Sequence, residues 1–159
     1  MVSDFDYTEF TTLDIWENFN EILEEIRTEL NNSVMNEILL NTIQEKYFTE
    51  PSWDMYIVSA IRFLTSYGYQ KNHDEFSAFL EVPMTGRQFA QTSVENQGQD
   101  ADQIQIMALC KVLPISLTVV YVDLTPGDEP NYHHFNENYR ESSSHINLLY
   151  RPGHYDLLV

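Results

Sequence analysis

The chain has 159 residues and a mass of 18.7 kDa, which suits one compact domain with a sizeable core and argues against two ordinary ones. Eight Lys and Arg against 25 Asp and Glu leave a formal charge of −17, so polyphosphate backbones and anionic lipid headgroups are repelled at long range, and neither nucleic acid nor a membrane is an expected partner. A hydrophobic content of 43% with 13% aromatics excludes disorder for most of the chain, and the solitary cysteine, Cys110, excludes an internal disulfide and any zinc site with two thiolates.

The stretch from Met1 to Phe10 carries Asp4, Asp6 and Glu9 where a secretory or mitochondrial leader is basic, and no apolar run approaches membrane-spanning length. A soluble protein of the cytoplasm or nucleus is expected. From Leu13 to Leu30, Ile15, Trp16, Phe19, Ile22, Leu23, Ile26 and Leu30 form one helical stripe, with Thr11 or Thr12 as its cap and Asp14 in the first turn. Ser33 to about Tyr47 repeats the pattern until Pro51 breaks the chain, which predicts a helical hairpin. Trp53 to Thr65 is apolar nearly all round and predicts a central helix buried on several sides. Short helices follow around Phe76–Leu80 and Thr85–Val94. Asp100 or Asp102 then caps a helix through Ile104, Ile106, Met107, Leu109, Cys110 and Leu113, stopped by Pro114.

At Ile115 the texture changes to β-branched residues as far as Leu124, a strand followed by turn material to Pro130. Residues 131 to 144 read mainly as a polar loop. His145–Tyr150 and His154–Val159 read as two short strands around Arg151-Pro152-Gly153. Helices first and mainly antiparallel strands last make an α+β domain.

The two-residue period of a strand places His154, Asp156 and Leu158 on one face of the last strand and Tyr155, Leu157 and Val159 on the other. A carboxylate two residues from a histidine is positioned to orient the imidazole and stabilise its cation, which is half of a nucleophile, base and orienter triad. Gly153 leaves room beside it. The same spacing also suits a solvated surface pair. His133 and His134 are adjacent in the predicted loop and, even with His145, lack an acid-histidine helix motif, so no metal site is expected and no cofactor is implied.

The segment Asn147-Leu-Leu-Tyr-Arg-Pro-Gly-His-Tyr-Asp-Leu-Leu158 closely resembles the carboxyl-terminal catalytic motif of the otubains, a branch of the ovarian-tumour (OTU) cysteine deubiquitinases. Arg62-Phe-Leu-Thr-Ser66 is similar to the family's Arg-x-Leu-Thr-Ser motif, Phe76–Glu81 to its Phe-x-x-Phe-(Ile/Leu)-Glu segment, and Ile106–Leu113 followed by Val120–Asp123 to its Ala-Leu helix and the strand behind it. The agreement runs in order from about Phe10 to the end.

The resemblance implies a papain-like OTU fold, a helical N-terminal part followed by a small sheet. In it His154 is the general base toward a cysteine thiol and Asp156 its orienter, with ubiquitin or polyubiquitin as the partner. Otubains carry their cysteine in an Asp-Gly-Asn-Cys-Phe stretch at a helix start, upstream of everything matched, and no Asp-Gly-Asn-Cys occurs in this sequence. Cys110 lies mid-helix among Met107, Leu109, Val112 and Leu113, which reads as a core residue rather than a nucleophile. Where the family shows acidic-x-Asp-His, this chain has Asp100-Ala-Asp102-Gln103. The expectation is one otubain-like domain, 1–159, incomplete at its N-terminus. As a fragment, a shortened relative or one half of a two-chain assembly it would retain the His154–Asp156 pair without a nucleophile and be inert alone. Two other outcomes are a non-catalytic ubiquitin-binding or scaffold module, whose acidic surface suits a basic partner face, and a degenerate fragment that does not fold alone.

Overall fold

A computed structural model describes residues 9–32, 37–49, 51–80, 82–122, 130–139 and 145–158. By its internal contacts the chain divides into two compact units, Met1–Arg62 and Phe63–Val159.

The first unit contains α1 (Glu9–Asn32), α2 (Glu37–Phe48) and the start of α3 (Pro51–Lys71). The expected stripe does the packing: Ile22, Ile43 and Tyr47 are buried together, flanked by Ile26, Leu39, Trp53, Tyr56 and Ile57. Tyr47 is fully buried, yet its hydroxyl donates to Glu25 Oε2 at 2.5 Å, and Lys46 Nζ reaches the same oxygen at 2.9 Å. A large apolar ring is thus sunk in the core while its polar end meets an ion pair. α1 begins earlier than its hydrophobic pattern suggested, so Thr11 and Thr12 lie inside the helix and Thr12 is buried rather than capping it. The expected start of α2 at Ser33 lies outside the described residues. Pro51 not only follows α2 but opens α3, where a missing N–H costs nothing.

In the second unit α3 runs on past Thr65 to Lys71. Gly68 lets this stretch lie against the helix that carries Ala108: a Cβ built there would stand 2.2 Å from the Ala108 carbonyl oxygen, so the two helices approach closer than any side chain allows. α4 (His73–Ser77) and α5 (Gly86–Phe89) follow, α5 running into a π-helical turn, Ala90–Val94, before α6 (Gln103–Val112). Thr85 caps α5 and Asp102 caps α6, each in a capping box closed by Gln88 and Gln105. Tyr69, Phe76, Phe89, Val94 and Ala108 form the core on this side, with the Tyr69 ring stacked 5.4 Å from Phe76 and 4.3 Å from Phe89.

The sheet has the order β2-β1-β3-β4, from β1 (Ser116–Tyr121), β2 (Asn131–Phe135), β3 (His145–Arg151) and β4 (His154–Leu158). β1 pairs antiparallel with β2 and parallel with β3, and β3 pairs antiparallel with β4. The α+β class and the mainly antiparallel sheet agree with expectation, but residues 131–135 are an edge strand and not a loop, so His133 and His134 project to opposite faces of β2. The register places Leu117, Val119, Ile146, Leu148, Tyr150 and Tyr155 on one face, packed with Ile106 and Cys110 of α6. The other face carries Ser116, Thr118, His134, His145 and Asn147, and further along it Leu149, Arg151, His154 and Asp156.

Candidate active site

β3 and β4 are joined by a two-residue turn, Pro152-Gly153, with Arg151 directly opposite His154. Proline presets the first turn position, and Gly153 sits at φ +80°, a conformation that a residue with a Cβ adopts at a cost. Among the described residues no atom other than those of its two chain neighbours lies within 4 Å of where its Cβ would be, so backbone conformation, not crowding, requires the glycine, and they leave the space beside the turn open.

His154 and Asp156 meet as the spacing predicts: His154 Nε2 lies 2.9 Å from Asp156 Oδ1. The second carboxylate oxygen accepts from Arg151 Nη2 at 2.8 Å. Asp156 is therefore held between two hydrogen-bond donors, and the hydrogen bonds from His154 first and Arg151 second keep its carboxyl below the usual aspartate range. Donation from Nε2 to Asp156 fixes one imidazole tautomer and leaves Nδ1 with the lone pair a proton acceptor needs. The pair is solvent-facing, with side-chain exposures of 59% for His154 and 42% for Asp156. Local pattern shows Arg151 only as part of the turn and of the otubain-like motif, with no role at the site. The signal that finds it is the hairpin itself, because a two-residue loop forces positions 151, 154 and 156 onto one face.

Cys110 is in another place altogether. It is 7% exposed, packed with Ile106, Leu117, Val119 and Phe135 on the α6 side of the sheet, and burial pushes its thiol up to about 11. By the strand register His154 projects from the opposite face. The sheet stands between thiol and imidazole.

His133, His134 and His145 lie on strands, whereas His73 opens α4 and packs on the Tyr69 ring. Thr118 Oγ1 lies 2.9 Å from His134 Nδ1 and 3.5 Å from His145 Nε2. His145 also meets Ser116 Oγ and Asn147 Oδ1, both at 3.0 Å. His133 packs on the Tyr121 ring, and its Nδ1 is 3.2 Å from Gln103 Nε2, so Gln103 has a partner of its own. Among the described residues no three His, Cys, Asp or Glu side chains gather as a metal site, and no helix is long and apolar enough to cross a membrane.

A family profile described as Peptidase C65 Otubain matches residues 1–159. The chain belongs to the otubain family. It is 34% identical over 152 residues to the human protein named ubiquitin thioesterase OTUB1, covering 96% of this chain and 52% of that one. It is likewise 34% identical over 165 residues to an Arabidopsis thaliana protein named ovarian tumor domain-containing deubiquitinating enzyme 1, again covering 52% of it. Among solved structures, one titled as a ceOTUB1, ubiquitin aldehyde and UBC13~Ub complex superposes with a TM-score of 0.80 at 26% identity, over 99% of this chain and 61% of that one. The helical part and four-stranded sheet are thus those of an OTU fold, and this otubain chain spans about half the length of the relatives it matches.

Proposed function

We propose that this otubain chain is the histidine-bearing part of a ubiquitin isopeptidase domain, with His154 as general base and Asp156 as its orienter, acting on ubiquitin or polyubiquitin in the cytoplasm or nucleus. The observation that carries the reading is the His154–Asp156 hydrogen bond of 2.9 Å on a strand end beside open space. In such a reaction a cysteine thiol gives its proton to the imidazole and the thiolate attacks the isopeptide carbonyl. The imidazolium then returns the proton to the departing lysine amine, and water hydrolyses the thioester. Cys110, on the far face with its thiol pushed up to about 11, does not suit the nucleophile's part. The thiol in this reading comes from beyond these residues, on a segment or chain that completes the site, and the 159 residues alone are inert. The names of the relatives, ubiquitin thioesterases and a deubiquitinating enzyme, support the substrate class.

The test is intact-mass analysis after incubation with ubiquitin bearing a thiol-reactive carboxyl-terminal electrophile, using the parent chain and Cys110→Ala. No adduct is expected on either. An adduct that disappears in Cys110→Ala refutes the assignment.

A second reading, a ubiquitin-binding module without chemistry, is supported by the solved relatives, which are described as complexes with ubiquitin aldehyde and UBCH5B~Ub or UBC13~Ub. It predicts chemical-shift changes when labelled ubiquitin is titrated with the chain, and silence at millimolar concentration counts against it.

A further inference from the structure

We propose that Tyr155 is a positioning residue for the His154–Asp156 pair, its hydroxyl tying the histidine-bearing edge strand to the loop that opens α6. The inference deepens the isopeptidase reading and rests on it for its catalytic meaning.

β4 is an edge strand of five residues held by one neighbour. His154, Leu157 and Leu158 are exposed, and Tyr155 is the β4 residue that packs into the core cluster of the sheet. Its ring lies 4.8 Å from that of Tyr150. His154 begins the strand immediately after the turn, opposite Arg151. An ion pair as exposed as His154–Asp156 adds little to its own placement. The position of the imidazole is therefore inherited from the backbone, and the backbone is fastened at the next residue.

The fastening is specific. Tyr155 donates to the Ala101 carbonyl oxygen at 3.1 Å, 54 residues away in sequence. The loop that presents this oxygen is itself held: the Asp102 N–H donates to Gln105 Oε1 at 3.0 Å, and Gln105 Nε2 donates to the Ser93 carbonyl at 3.3 Å. Gln105 is buried, so its amide is not free to exchange these bonds for water. Consecutive hydrogen bonds thus link the π-helical turn, the α6 cap and the residue beside His154.

The experiment follows the Asp156 carboxyl carbon by NMR through a pH titration of the labelled chain, its Tyr155→Phe variant and Tyr150→Phe. Tyr155→Phe keeps the ring in the core and loses only the hydroxyl. With β4 loosened, Asp156 loses part of its contact with His154 and Arg151, and its midpoint moves up toward the ordinary aspartate value, with the His154 ring signals averaging toward those of a free imidazole. Tyr150→Phe, which removes a hydroxyl from the neighbouring ring, tilted at 48° to that of Tyr155, leaves the midpoint where it was. An unchanged midpoint in Tyr155→Phe, or an equal movement in Tyr150→Phe, overturns the proposal. Gln105→Leu gives an independent handle at the other end of the loop: without adding charge it removes both the acceptor for the Asp102 N–H and the donor to the Ser93 carbonyl. It moves the midpoint in the same direction, and no movement overturns the proposal even where Tyr155→Phe is poorly folded. None of these readouts involves ubiquitin. A failed ubiquitin titration with the Asp156 shift intact rejects the isopeptidase reading and leaves the tie standing.

Discussion

Glu95 ends the π-helical turn, where its carboxylate accepts from the buried Ser66 hydroxyl at 2.5 Å, and Gln70 Nε2 donates to that same hydroxyl at 3.0 Å. Desolvation in this half-buried site raises its carboxyl from an ordinary 4.5 to about 7. The folded state therefore binds this proton more tightly than the unfolded chain does. The stabilisation is fully present below about pH 4.5, declines through the window from 4.5 to 7, and is gone above it. At 1.36 kcal/mol per pH unit the full difference corresponds to about 3.4 kcal/mol. The carboxyl is only half withdrawn from water, and screening reduces this to about 1–2 kcal/mol. Glu95→Gln keeps an oxygen for Ser66 and removes the charge, so at pH 8 it should be more stable than the parent by that amount, a rise in Tm of about 2–8 °C for a chain of this size. At pH 5, safely above the pI of 4.3, the two should nearly coincide. Thermal unfolding followed by circular dichroism at half-unit intervals from pH 5 to 8 gives the difference curve. A difference that stays flat with pH, or a variant less stable than the parent at pH 8, refutes the argument from burial.

Substitutions at two further positions probe the packing that frames the site. Gly68→Ala places a methyl 2.2 Å from the Ala108 carbonyl. Because the obstacle is backbone, α3 and α6 must move apart, at a cost of about 1–3 kcal/mol, visible as a lowered urea midpoint with unchanged slope. Asn136 holds φ at +55° and donates through Nδ2 to the carbonyls of Cys110 at 3.0 Å and Ile115 at 2.9 Å. Asn136→Gly should lose only the bonds, whereas Asn136→Ala should lose the bonds and strain the backbone. Alanine is therefore expected to be the less stable of the two by about 1 kcal/mol in the same urea assay.

Much of this architecture is written in the periodicity of the chain. The α1 and α2 stripes, the nearly all-apolar α3 and the β-branched β1 each announce their element, although Leu23, Leu30 and Ile38 of the stripes and Met55 and Val58 of α3 stay exposed. β2 escapes for a physical reason: Asn131-Tyr-His-His-Phe135 lies at an edge, and His133 rather than an aliphatic residue faces the core side, against the Tyr121 ring. The alternation is there but is spelled in polar residues. The extension of α3 through Gly68 escapes too, since a glycine in a helix reads as a weakness until its neighbour is known. The π-helical turn has no pattern of its own. At the site, the His154–Asp156 contact follows from the two-residue strand period. Arg151 and Tyr155 required the hairpin register and a bond across 54 residues, which local spacing does not encode.

The burial of Cys110 makes the chain its own unfolding gauge. A lone thiol between α6 and β1, only 7% exposed and with its proton held up to about pH 11, alkylates slowly in the folded chain and much faster when helix and sheet part. Each molecule then carries one adduct or none, so the mass spectrum counts openings of the second unit directly. Labelling rates across a denaturant series would separate local breathing of the helix and sheet interface from global unfolding, with no probe added and no residue changed.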